Sequence, residues 1–101
     1  MDMTAHTDPL KLENLISWLE TKPAAAIYEF QSNNNCLLAQ FLKACGCCDV
    51  WVGGYTLDYD DHKDIRIPKN YDYIAGPGDA DRTFRAATLR AREAFALGDS
   101  L

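Results

Sequence analysis

The sequence predicts an α+β fold, with about three helices packed on a small antiparallel β-sheet or hairpin. Three observations carry this expectation. Apolar residues recur at helical spacing near residues 9–19, 36–45 and 81–97. β-branched and aromatic residues gather between Val50 and Ile67, interrupted by polar turns. Finally, 101 residues, 48% hydrophobic and 25% charged, supply one hydrophobic core and no second. The chain is therefore expected to be a single compact domain over 1–101, with 1–7 flexible.

The first helix is expected to start near Pro9, where Asp8 can cap N–H groups and proline has none to lose. Leu12, Leu15, Ile16 and Leu19 then fall on one buried face, and Pro23 closes the helix. Ala24 to Phe30 reads as loop or short strand. After the break at Ser32-Asn33-Asn34-Asn35, Cys36 to Cys45 is a mostly buried helix that Gly46 ends in left-handed geometry.

Val50-Trp51-Val52 and Tyr55-Thr56-Leu57 are strand segments, with Gly53-Gly54 as either a bulge or a hairpin turn. Asp58 to Asp64 is expected to be a polar turn, and Lys63 to Ile67 alternates as a half-buried strand does, so a hairpin forms around His62. Pro68 stops that strand. Asn70 to Ala75 suits a strand or a short helix, and the proline before it favours a turn of helix. Gly76-Pro77-Gly78-Asp79 breaks the chain before a helix from Asp81 to Leu97, capped by Asp79 or Asp81. Phe84, Thr88, Ala91 and Phe95 share one stripe of it, and Gly98 ends it. Leu15, Ile16, Leu19, Leu38, Phe41 and Phe95 are the expected core.

Composition removes several function classes. The apolar runs are far shorter than the roughly 20 residues of a spanning helix, so no membrane partner is expected. Met1 to Asp8 lacks the pattern of a signal peptide, which points to the cytoplasm. Fifteen acids against ten bases give a net charge of −5, which repels phosphate backbones and argues against direct nucleic-acid binding. The four cysteines read as packed thiols rather than disulfides.

No metal or cofactor is expected. Cys45 and Cys48 have a zinc-knuckle spacing, but the matching second pair is missing and Cys36 lies a helix away. Asp58-Tyr59-Asp60-Asp61-His62-Lys63-Asp64 has the acidity of a calcium loop, yet Lys63 stands where the turn needs glycine and no bidentate Glu follows. Gly76-x-Gly78 precedes a helix, but Asp79 and Asp81 put negative charge where a phosphate would sit.

One catalytic arrangement can be written. Cys36 opens a helix, as the nucleophile of papain-like hydrolases does, with His62 as base and Asp60 or Asp64 to orient it. Against it, Leu-Leu-Ala follows Cys36, which fits a buried helical position. A cysteine-dependent hydrolase is therefore the alternative reading and not the leading one.

The leading reading is non-catalytic protein binding. Trp51, Tyr55, Tyr59, Tyr71, Tyr73 and Phe30 are more aromatic side chains than so small a core encloses, and Tyr and Trp favour interface hot spots. The expected binding set is Asp58, Tyr59, Asp60, Asp61, Asp64, Tyr71 and Tyr73, facing a protein partner with a basic surface. Arg82, Arg85, Arg90 and Arg92 form a basic stretch on the last helix, either a solvated face or a contact for an acidic partner. A self-associating structural protein that dimerises through its aromatic face is a further alternative.

Asn35-Cys36-Leu37-Leu38-Ala39-Gln40-Phe41-Leu42 and Asp81-Arg82-Thr83-Phe84-Arg85-Ala86-Ala87 resemble segments of small bacterial and prophage proteins. In size and acidity the chain is similar to phage-encoded inhibitors of host defence of the anti-CRISPR type. That resemblance implies an inhibitor of a nucleic-acid-handling host complex, acting in the host cytoplasm. No motif defines the class, so it assigns no individual residue.

Overall fold

Four helices and a three-stranded antiparallel sheet make up the computed structural model, which describes residues 8–30, 32–76 and 79–97. The expectations for residues 1–7, Pro77-Gly78 and Gly98 lie outside the described residues. The helices are α1 (Leu12–Leu19), α2 (Leu37–Ala44), α3 (Lys69–Ala75) and α4 (Phe84–Ala96); the strands are β1 (Trp51–Val52), β2 (Thr56–Tyr59) and β3 (His62–Arg66). The α+β class stands, with four helices in place of about three. The additional one is α3, where the Pro68 carbonyl accepts from the N–H groups of Tyr71 and Asp72 and Gly76 closes the helix at φ 88°. Only a residue that tolerates left-handed backbone can end a helix this way.

Helix α1 starts three residues later than expected. Asp8 caps a turn ahead of it, its Oδ1 accepting from the Leu10 N–H at 2.9 Å, and Lys11 is the N-cap. Past a turn at Ala24-Ala25, residues 26–29 lie beside the start of α4 through an isolated bridge rather than a strand, with the N–H of Tyr28 donating to the Arg82 carbonyl and that of Phe84 to the Ala26 carbonyl. Helix α4 itself begins at Phe84, because the Thr83 hydroxyl accepts from the Ala86 N–H at 3.2 Å. Asp81 serves one step earlier: the Thr83 N–H and hydroxyl hold its carboxyl below the usual carboxylate range.

The sheet has the order β1-β2-β3. Gly53-Gly54 lies in the turn between β1 and β2, and the irregularity falls instead between Leu57 and Tyr59. The polar turn expected over Asp58 to Asp64 shrinks to Asp60-Asp61, since Tyr59 pairs with His62. Asp60 and Asp64 adopt φ 53° and 55°, a region aspartate tolerates better than most side chains. Val52 and Leu57 are buried toward the helices, and the strand alternation turns Trp51 and its register partner Asp58 to the opposite side.

Leu15, Leu19, Leu38 and Phe41 are buried as expected, in one cluster with Leu12, Leu37 and Tyr71, and Ile16 packs half-buried against it. Trp18 joins α1 to its neighbours, its ring 5.5 Å from Phe41 and 6.0 Å, edge-on, from Phe84. Phe95 is the correction: it is 55% exposed. Helix α4 buries Phe84, Ala87, Ala91 and Ala94 instead, a face rotated by about 50° from the expected stripe at 100° per residue. Small alanines let α4 lie close to α1 and α3, its two helical neighbours.

Candidate functional site

The carboxylates singled out in the sequence come together at the end of the sheet that carries the β2–β3 turn. The turn is fixed from both sides. Asp60 donates its N–H to the Cys48 carbonyl at 2.7 Å, and its Oδ1 accepts from the Cys48 N–H at the same distance. Asp58 Oδ1 accepts from the Asp64 N–H at 2.9 Å, and Lys63 Nζ stands 4.0 Å from the other Asp58 oxygen. Asp61 is exposed at the tip, and exposed Asp49, at φ 53°, lies beside the clamped Cys48. Five carboxylates, Asp49, Asp58, Asp60, Asp61 and Asp64, thus gather at this end with one cation, Lys63, while Arg66 stands at the far end of β3 opposite Thr56.

Tyr59 is half-buried there with its ring 5.0 Å from His62. Burial pushes its hydroxyl above the ordinary tyrosine value, and Cys47, Asp8 and Asp60 add to the rise. Tyr71 and Tyr73 do not belong to this site. Tyr71 is 2% exposed, its hydroxyl donating to the Pro9 carbonyl at 2.8 Å and its ring packed 6.5 Å from Phe41. Tyr73 points about 200° away from it, as residues two apart on a helix must. Its hydroxyl donates to Glu93 Oε1 at 2.7 Å, between α3 and α4.

Trp51, named among the surplus aromatic residues but not in the expected binding set, stands beside these carboxylates. It is 46% exposed on β1, directly opposite Asp58. Its indole folds back over Gly53, where an added Cβ would sit 2.7 Å from the ring, so glycine makes the room. The signal was present in the sequence: once Val52 is buried, strand alternation turns Trp51 outward.

Cys36 and His62 are not brought together. Cys36 is buried at the start of α2, against the loop whose Asn33 bonds to Val52 in both directions. In register, Val52 pairs with Leu57 and Leu57 with Ile65, while His62 lies three residues further, about 10 Å along the strand at 3.3 Å per residue. The Asp60 carboxylate, one of the two offered with Asp64 to orient His62, is engaged by the Cys48 N–H. The geometry of the thiol hydrolase is therefore not assembled.

The basic stretch of α4 is also largely spent inside the fold. Arg90 donates from Nη2 to the Ile74 carbonyl at 3.0 Å and to the Tyr28 hydroxyl at 2.8 Å, and Tyr28 donates to the Ala75 carbonyl at 2.9 Å. Arg82 donates to the Gly76 carbonyl at 3.1 Å and lies 4.2 Å over the Phe30 ring. Both arginines thereby cap the C-terminal carbonyls of α3. Arg92 pairs with Glu20 of the α1 C-terminus. The stretch read from the sequence as either a solvated face or an acidic-partner contact thus includes three arginines that brace the helices.

Cys36, Cys45 and Cys47 are buried and Cys48 is exposed. Among the described residues no group of three or more His, Cys, Asp and Glu side chains has the arrangement of a metal site, and no helix is long and apolar enough to cross a membrane. Comparisons of the chain with protein-family models, with curated proteins and with solved structures find no match.

Proposed function

We propose that the chain is a non-catalytic binding protein that presents the acidic end of its sheet to a partner with a basic surface. The observation that carries this reading is Trp51, half exposed opposite Asp58 and flanked by carboxylates whose backbone the turn already holds in place. A large, pinned aromatic side chain loses little freedom on binding, and surrounding carboxylates raise the rate of encounter with a cationic surface. Basic surfaces of this kind occur on nucleic-acid-handling complexes, so inhibition of such a complex, in the manner of a phage-encoded inhibitor, is the biological role proposed.

The test is a nuclear magnetic resonance titration with a synthetic arginine-rich peptide. The expected result is a shift of the Trp51 indole N–H and the Asp61 amide while the Trp18 indole stays in place. Affinity should fall several-fold on going from low to about 0.5 M salt, because exposed charges are screened over a few ångströms there. Asp61→Lys combined with Asp58→Asn, which keeps an acceptor for the Asp64 N–H, should weaken binding at low salt with little change in stability. Equal affinity for the variant, or binding indifferent to salt, would remove the acidic end from the mechanism.

Self-association has its own support in the exposed apolar residues of α4, Leu89 at 59% and Phe95 at 55%, which stand about 120° apart around the helix. If the Leu89 side pairs with a second copy, sedimentation should show a dimer that Leu89→Glu dissociates. A wild-type monomer at high concentration would end this reading.

A further inference from the structure

A cavity of about 240 Å³ opens at the other end of the sheet, beside the β1–β2 turn. Its walls are apolar: Phe30, Cys36, Leu38, Val52, Ile67 and Ala75. The mouth is unobstructed at Gly54, where an added Cβ would meet nothing within 4 Å. At a water-sized volume of about 30 Å³ per group the space takes about eight heavy atoms, which makes it too small for a folded partner and large enough for a short apolar body.

The polar groups around this cavity decide what can enter. Ser32 is occupied within its own turn, its hydroxyl accepting from the Asn35 N–H at 3.1 Å. Cys36 is 8% exposed and its side chain makes no capping bond to α2. Asp72, on α3, is the one charged residue in the lining; it is exposed, and its carboxylate has no hydrogen bond or ion pair among the described residues. Arg66 and Lys69 border a shallower depression beyond Tyr55 and Asp72, outside the cavity lining. An anionic head at the mouth would share it with the Asp72 carboxylate, which borders that depression as well as the cavity, whereas a cationic head meets its counter-charge there. The net charge of −5 favours the same sign at longer range.

We propose that this cavity binds a small cationic amphiphile, with an apolar body of about eight heavy atoms against α2 and β1 and an ammonium group paired with Asp72. The carboxylates of the acidic hairpin lie at the opposite end of β2 from this cavity, with Trp51, whose indole lies over Gly53, between the two.

The full-length chain is titrated with octylamine, 1-octanol and octanoate, three probes of nearly equal apolar size. Octylamine should bind most tightly and octanoate most weakly, with amide shifts at Leu38, Val52 and Ala75. The step from octanol to octylamine should be about three- to fivefold, the worth of a partly exposed ion pair. Asp72→Asn should erase that step and leave octanol binding unchanged. A second readout needs no substitution in the cavity: in the Cys48→Ser chain, octylamine should slow alkylation of Cys36 by iodoacetamide in proportion to occupancy. Tightest binding by octanoate would mean that Arg66 and Lys69 select the head group, and would overturn the proposal. So would shifts confined to other residues, or unprotected Cys36 at saturating octylamine.

Discussion

Replacing Phe41 by alanine is expected to lower the stability of the fold by about 3–5 kcal/mol, the usual cost of removing a buried phenylalanine. Phe41 is 2% exposed on the inner face of α2, and its ring meets Trp18 of α1 at 5.5 Å and Tyr71 of α3 at 6.5 Å. Deleting it leaves a void where three helices converge, and none of them can close it without giving up contacts elsewhere. A chain of this length has a total stability of about 5–15 kcal/mol, so the variant should stand at the edge of unfolding at room temperature. Phe95→Ala, by contrast, should change stability by no more than about 0.5 kcal/mol, because the exposed ring loses little contact. Urea unfolding of the two variants and the wild type measures both. If Phe95→Ala proved the more costly, α4 would have to turn its other face inward.

Alkaline pH should destabilise the protein by a few kcal/mol. Burial pushes the Cys45 thiol up to about 12, with nearby Cys47 and Asp8 adding to it; burial likewise pushes Cys47 up to about 11, helped by Asp60 and Cys48. In the unfolded chain the same thiols ionise near 9.0. Below that pH both states hold the protons and the stability is fully present. Above it the unfolded state has lost protons that the folded state still binds, so stability falls as pH rises and keeps falling to about 12. Each tenfold difference in proton affinity between the two states is worth about 1.4 kcal/mol, which places the combined loss at a few kcal/mol. Tyr28 and Tyr71, also raised by burial, should steepen the decline above 10. The check is the urea midpoint at about pH 7, 9, 10 and 11 under reducing conditions. Cys45→Ala should start lower at neutral pH yet decline less steeply, and a wild-type midpoint flat to about pH 11 would show that the thiols are open to water.

The acidic hairpin was legible in the sequence because its determinants are local. Asp58 to Asp64 are seven neighbours, and a turn between alternating strands brings them together whatever the rest of the chain does. Trp51 needed one further step, the burial of Val52. The pairing of Cys36 with His62 could be written from composition but depended on two segments meeting across the sheet, which the register of β1 and β2 decides against.

Helical periodicity alone determined that α1 and α2 exist and which way they face, since Leu15, Leu19, Leu38 and Phe41 repeat at the spacing of one apolar stripe. The turn residues left open whether Gly53-Gly54 bulges one strand or turns a hairpin, and only the pairing of β1 with β2 decides for a three-stranded meander. The phase of α4 was not determined, because its inner face is built from Ala87, Ala91 and Ala94, whose small side chains give little hydrophobic signal against Phe95 and Leu89. The fate of Arg82, Arg90, Tyr28 and Tyr71 was undetermined for a related reason. Each has an apolar body and a polar end, and whether it faces water or a partner depends on where the carbonyls of Ile74, Ala75, Gly76 and Pro9 come to rest. Those acceptors lie from 6 to 62 residues away along the chain, and only the packing of α3 against α4 and α2, with the 24–30 segment and the turn before α1 beside it, delivers them.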